Sequence, residues 1–223
     1  MKSLTTKLYE YTLNEGFYKN AGGMVQPSST EELKREIRTR LDQGQTNLND
    51  IDTSKITDMS YLFCDSDYDL SKLDISRWDT SKVELMNGMF WGCTNFNCDL
   101  SKWNVSKVID MNFMFSGCNN FNSDLSKWNT GRVEDMKNMF RDCHKFNSDL
   151  SKWDVRNVRD MKYLFQGCSN FSADLSDWKV DKQVELFNTF NRSSAEEPRW
   201  YHKGLSRQEK ETFKSIISGR IHF

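Results

Sequence analysis

A period of 25 residues runs through the middle of this chain and constrains its fold more than any other feature. Tryptophan falls at Trp78, Trp103, Trp128, Trp153 and Trp178, and cysteine keeps the same step at Cys93, Cys118, Cys143 and Cys168. Phe96, Phe121, Phe146 and Phe171 follow it too, as do Met89-Phe90, Met114-Phe115, Met139-Phe140 and Leu164-Phe165. An earlier copy, "IDTSKITDMSYLF" at 51–63, aligns with "WDTSKVELMNGMF" at 78–90 at a step of 27, and "WKVDKQVELFNTF" is a degenerate last copy. Self-similarity at this period marks a chain whose units cannot bury their apolar sides alone and do so by stacking.

One unit, residues 146–170, illustrates the expectation. In "DLSKWDV", Trp153 and Val155 alternate with Lys152 and Asp154, the period of a short strand. Met161, Leu164, Phe165 and Cys168 then stand at i, i+3, i+4 and i+7, the spacing of one apolar helical stripe. Each coil therefore reads as strand, turn, short helix, turn. Eight of the ten methionines occupy repeat positions, which assigns them to the core.

The phrases "LNDIDTSKITDMSYLF" and "DLSKWNVSKVIDMNFMFSGC" resemble the BspA-like leucine-rich repeat family, the 25-residue repeat of Mycoplasma-type lipoproteins, over roughly residues 30–190. The resemblance implies a leucine-rich-repeat-like solenoid and a role in binding. The expected fold is an α/β repeat: a right-handed solenoid of five to six strand–helix coils with helical caps at both ends. The division is an N-terminal cap at 1–50, repeats at 51–190 and a C-terminal cap at 191–223.

The ends suit that role. Ser29 and Glu32 have capping-box spacing ahead of Leu33, Ile37 and Leu41, so "STEELKREIRTRL" at 29–41 predicts a helix. Residues 3–18 place Leu4, Leu8 and Tyr11 on one helical side, and Ser206 and Glu209 open a further helix in "SRQEKETFKSII". Trp200, Tyr201 and His202 fall in a stretch that reads as loop. The N-terminal segment has no apolar core of signal-peptide length, and no run approaches the ~18 apolar residues of a membrane span. The chain reads as cytoplasmic, with no membrane partner.

Net charge is -1, with 17 basic against 21 acidic residues in the repeats and 7 against 4 after residue 190. Neither bias names a partner. The repeat cysteines would form a straight row, whereas zinc needs a tetrahedral cluster, so the row reads as small core residues with no metal and no cofactor. Cys98 replaces Ser123 and Ser148 and is expected to be the more exposed thiol. His144, His202 and His222 form no catalytic or metal spacing, and no nucleophile elbow, glycine-rich phosphate loop or HExxH occurs. The chain reads as non-enzymatic.

Two surfaces stand out as candidates. The first is the expected strand face with Lys102, Asn104, Lys127, Asn129, Lys152 and Asp154, where stacked cations suit a charged partner. Such rows track a phosphate backbone in nucleic-acid binders. Here the neighbouring aspartates, Asp99, Asp124 and Asp149 among them, offer neutralisation as the plainer reading. The second is the expected helix edge around Trp91, Arg141 and His144, where residues depart from the repeat consensus; aromatic and arginine side chains of this kind anchor interfaces. Phe113 and Tyr163 also depart, standing where other coils have Gly88 and Asn138. The reading is a protein-binding module that presents a rigid surface, oligomeric state open. Its alternatives are an intracellular inhibitor from a phage or mobile element that blocks a host nucleic-acid enzyme, and a surface adhesin whose leader lies outside this sequence.

Overall fold

The computed structural model describes residues 23–204 and residue 211. The helices expected at 3–18 and 206–217 lie outside these residues or almost wholly so. The helix expected at 29–41 is present as α1, Thr30–Asp42. Ser29 caps it, its side chain accepting the Glu32 N–H, while Glu32 Oε2 accepts the Ser28 N–H and hydroxyl at 2.8 and 2.9 Å. Leu33, Ile37 and Leu41 are buried in the core cluster that continues through every coil to Tyr201.

The strand–helix coil is not what this sequence forms. Among the described residues there is no strand, only seven isolated parallel bridges, and both α-helices lie outside the repeats. A leucine-rich-repeat-like α/β solenoid is therefore the wrong description. Each coil is a succession of tight turns, and the coils are numbered 1 to 6 by their bridging residues Asp58, Leu85, Asp110, Asp135, Asp160 and Glu185.

The expected helix fails for a backbone reason. Met89 N–H donates to Met86 O and Cys93 N–H to Phe90 O, closing two four-residue turns in a row. The third residue of each turn has positive φ: Gly88 at 59° and Gly92 at 77°. The same two columns are positive in every coil, at Phe113 and Gly117, Asn138 and Asp142, Tyr163 and Gly167. That geometry is the type II turn, and a right-handed helix cannot contain it. First and fourth turn residues point inward, so Met86, Met89, Phe90 and Cys93 are all buried, mimicking the i, i+3, i+4, i+7 pattern of a helix.

The expected strand is also turns. Trp103 N–H donates to Leu100 O and Val108 N–H to Val105 O. Aspartate side chains hold these bends: Asp99, Asp124, Asp149 and Asp174 each accept the N–H two residues on, from Ser101, Ser126, Ser151 and Ser176. Such Asx turns explain the recurring Asp-x-Ser, since this side chain replaces a backbone turn bond.

Pairing between coils runs where the helix was expected. Met111, Phe113, Phe115 and Gly117 N–H groups donate to the carbonyls of Asp135, Lys137, Met139 and Arg141 at 2.7–3.0 Å, and each junction from coil 1 to coil 6 repeats the four rungs. Rings stack inside this ladder, Phe90 on Phe115 at 5.6 Å and Phe115 on Phe140 at 5.7 Å. Each tryptophan reaches back across coils: Trp128 Nε1 donates to Leu100 O at 3.1 Å and Trp153 Nε1 to Leu125 O at 2.9 Å. The segment expected to be a loop contains α2, Arg199–Gly204, and extends this column. Trp200 stacks on Trp178 at 6.0 Å and donates to Leu175 O at 2.8 Å.

Candidate functional site

The cysteine row is core, as expected. Cys118, Cys143 and Cys168 are fully buried, and each thiol donates to the carbonyl of a phenylalanine in the preceding coil at 2.8–3.0 Å. Burial pushes the Cys93 thiol up to about 12 and the others upward as well. Cys98 is buried too, against expectation: its sulfur accepts the Ile75 N–H at 3.5 Å, as Ser123 and Ser148 hydroxyls accept Leu100 and Leu125 N–H groups. Among the described residues no group of histidine, cysteine and carboxylate side chains is arranged to hold a metal.

The first candidate surface is a row of turn corners instead of a strand face. Lys102, Lys127 and Lys152 are exposed and make no ion pair among the described residues. Asn104, Asn129 and Asp154 spend their Oδ1 atoms on the N–H groups of Ser106, Gly131 and Arg156, so three of the six candidates are turn-forming residues. Asp154 also pairs with Arg156 at 2.7 Å, and that hydrogen bond foremost holds its carboxyl below the ordinary value. Beside Lys152 lies a groove of about 510 Å3 that also meets Asp149, Asp174 and Asp177, an acid-rich setting that does not suit a polyanion.

The second candidate surface gains coherence. The ladder residues that lie outside the hydrophobic core form a face four positions wide. In coils 2 to 5 these are Leu85, Asn87, Gly88 and Trp91; Asp110, Asn112, Phe113 and Ser116; Asp135, Lys137, Asn138 and Arg141; and Asp160, Lys162, Tyr163 and Gln166. Core columns barely change from coil to coil, whereas two columns of this face, Gly88-Phe113-Asn138-Tyr163 and Trp91-Ser116-Arg141-Gln166, differ in each of these coils. The two large hydrophobic side chains most exposed among the described residues, Tyr61 at 46% and Trp91 at 40%, both belong to it.

Neighbours on the face touch. Tyr61 lies over Gly88, where an added Cβ would come within 2.3 Å of its ring. Trp91 packs on Phe113 at 5.2 Å, the Arg141 guanidinium sits 6.0 Å from the Tyr163 ring, and Tyr163 meets Phe187 edge-on at 5.5 Å. His144 is exposed one turn further on, its Nδ1 2.7 Å from Asp142 O, so it flanks the face without joining it. Tyr61, Phe113 and Tyr163 occupy left-handed backbone at 56–60°, which glycine or asparagine fills elsewhere in the column. For a bulky residue that conformation costs about 1–2 kcal/mol.

Polar groups on the face are strained as well. Asn138 Oδ1 and Gln166 Oε1 are buried with no hydrogen-bond partner, one coil apart. The bridging carboxylates Asp110 and Asp135 are half-buried, and desolvation raises both above their ordinary values; Asp135 also feels the Asp110 and Asp160 charges. Sequence reasoning singled out Trp91, Arg141, Phe113 and Tyr163 but missed Tyr61, Asn138 and Gln166. The signal for Tyr61 was its alignment opposite Gly88; nothing in the sequence marked the two unmet amides.

A family model described as "Mycoplasma protein of unknown function, DUF285" matches residues 32–129 and again 100–200. The chain belongs to this family. Its two overlapping matches cover the six coils and most of α1 and end at the start of α2. No curated protein and no solved structure matches the chain. Among the described residues, no helix is long and apolar enough to cross a membrane.

Proposed function

We propose that this DUF285 chain is a non-enzymatic protein-binding module that docks a partner on the ladder face. One observation carries the reading: the chain changes residue in two columns of this face at each of coils 2 to 5, while the core columns of the repeat hardly change. There it places Trp91, Tyr61 and Arg141, the residue types that dominate binding energy at interfaces.

Further features support it. Left-handed aromatics carry a cost of about 1–2 kcal/mol each that the backbone does not require, and rings displayed on a docking face account for it. Four backbone hydrogen bonds per junction fix the face before docking, so little ordering entropy is lost on association. The likeness of the repeat phrases to BspA-like proteins also favours a binding role.

The test is capture of a partner from the native host with two variants. Replacing Trp91 and Arg141 by alanine is expected to abolish recovery of a partner held by the wild-type chain. Changing Lys102, Lys127 and Lys152 to glutamate is expected to leave it. The reverse result moves the site to the lysine row, and unchanged recovery in both variants refutes a docking role for either surface.

A further inference from the structure

The ladder has an open edge at coil 1. A trans peptide unit points its N–H and C=O in opposite directions. Tyr61, Phe63 and Asp65 N–H groups donate to coil 2, so the carbonyls of Ser60, Leu62 and Cys64 point away from it. The Asp58 carbonyl, next in the series, accepts Thr30 Oγ1 of α1 at 2.7 Å, which fixes the direction in which the set points. In coil 3 the equivalent carbonyls of Asn112, Met114 and Ser116 accept N–H groups from coil 2. Those of coil 1 meet no donor among the described residues.

Between coil 1 and α1 lies a cleft of about 630 Å3 that meets Leu62 and Cys64. Its apolar side is Ile37, Leu41, Leu62 and Phe63, and Arg38 stands at its rim. The cleft coincides with the one irregularity in the repeat. The first step is 27 residues, and the altered stretch Asp65–Tyr68 lines the cleft, with Tyr68 tied to Asp42 of α1 through its hydroxyl. A plain stack does not need this departure.

We propose that this cleft takes a segment of a partner protein folded in the turned backbone of a coil, which adds up to three rungs to the ladder by pairing with its open edge. The proposal rests on the reading of the chain as a protein-binding module. Coil 2 already meets the equivalent acceptors of coil 3 with N–H groups on alternate residues of such a turned backbone, so a segment in that conformation matches the open set.

A defined probe tests it. The peptide "IDMNFMFSG", residues 109–117, forms the same rungs inside the stack, its Phe113, Phe115 and Gly117 N–H groups donating to coil 4. Titrated into the full chain, it is expected to bind saturably and to shift the backbone amide resonances of Tyr61, Phe63 and Asp65, which share peptide units with the three open carbonyls. N-methylation at Phe113 and Phe115 of the peptide is expected to weaken binding about tenfold or more, and N-methylation at Asp110, whose N–H donates to nothing among the described residues, to leave it within about threefold. Equal loss from both methylation patterns, shifts confined to other residues, or no saturation at millimolar peptide each overturns the proposal. None of these results touches the Trp91 and Arg141 test, so failure here leaves the ladder-face reading standing.

Discussion

Phe113 separates display from support within a single coil. Its backbone sits at φ 57°, in the column filled by Gly88 and Asn138, and its N–H and C=O bonds to Lys137 and Ser116 do not depend on its side chain. Replacing it with asparagine removes a half-buried ring and its contact with Trp91 at 5.2 Å. The lost aromatic pair is worth about 0.5–1.5 kcal/mol, and the lost burial about 1 kcal/mol. Against this, relief of the left-handed strain returns up to about 1–2 kcal/mol. Phe113→Asn is therefore expected to change stability by no more than about 1 kcal/mol. Phe115→Ala, two residues on and fully buried, is expected to cost about 3–5 kcal/mol. Urea denaturation followed by circular dichroism measures both, with equal slopes required for the comparison. A loss at Phe113→Asn as large as that at Phe115→Ala refutes the argument, because the ring would then be holding the coil together.

Three further outcomes follow from the same geometry. Trp128→Phe removes the indole donor to Leu100 O, which keeps the Trp103 N–H, and shrinks a buried ring, so it is expected to cost about 1–2 kcal/mol by urea denaturation, whereas Trp91→Phe costs less than about 1. Titration of the folded chain with a thiol reagent at neutral pH is expected to label Cys64 and spare the five buried thiols, and all six react in denaturant. Asp135→Asn is expected to raise the denaturation midpoint at pH 7, since asparagine keeps the acceptor for the Lys137 N–H without a half-buried charge. Because the folded pKa of Asp135 is raised, its destabilising effect appears as pH climbs through that value, so the gain from the variant should vanish below about pH 3.8.

What the sequence made legible was burial, and what it hid was backbone conformation. Met161, Leu164, Phe165 and Cys168 are buried as the periodicity requires. Both a helix and two successive turns bring positions i, i+3, i+4 and i+7 to one side, so periodicity alone does not separate them. The deciding information sat in the residues between: Gly88, Gly92, Gly117 and Gly167 stand at positive φ, and glycine recurring in the same two columns argues for turns. Tyr163 and Phe113 concealed that column, because aromatics seldom take left-handed backbone. The lysine row misled for a related reason. Asn104, Asn129 and Asp154 looked like a polar display and are turn-forming acceptors.

A coil made of turns also explains why a variable face is tolerated. In this stack the invariant work falls to inward corners, to the Asp-x-Ser bends and to the tryptophan and cysteine bonds between coils, all of them away from the ladder face. The rungs of the ladder are backbone to backbone, so they persist whichever side chain stands between them. Trp91, Ser116, Arg141 and Gln166 can therefore share one column without altering the fold beneath. Glycine or asparagine would satisfy the left-handed positions at lower cost, yet coils 1, 3 and 5 have Tyr61, Phe113 and Tyr163 there. Part of that strain is offset within the face, where Phe113 packs on Trp91 and Tyr163 meets Arg141 and Phe187.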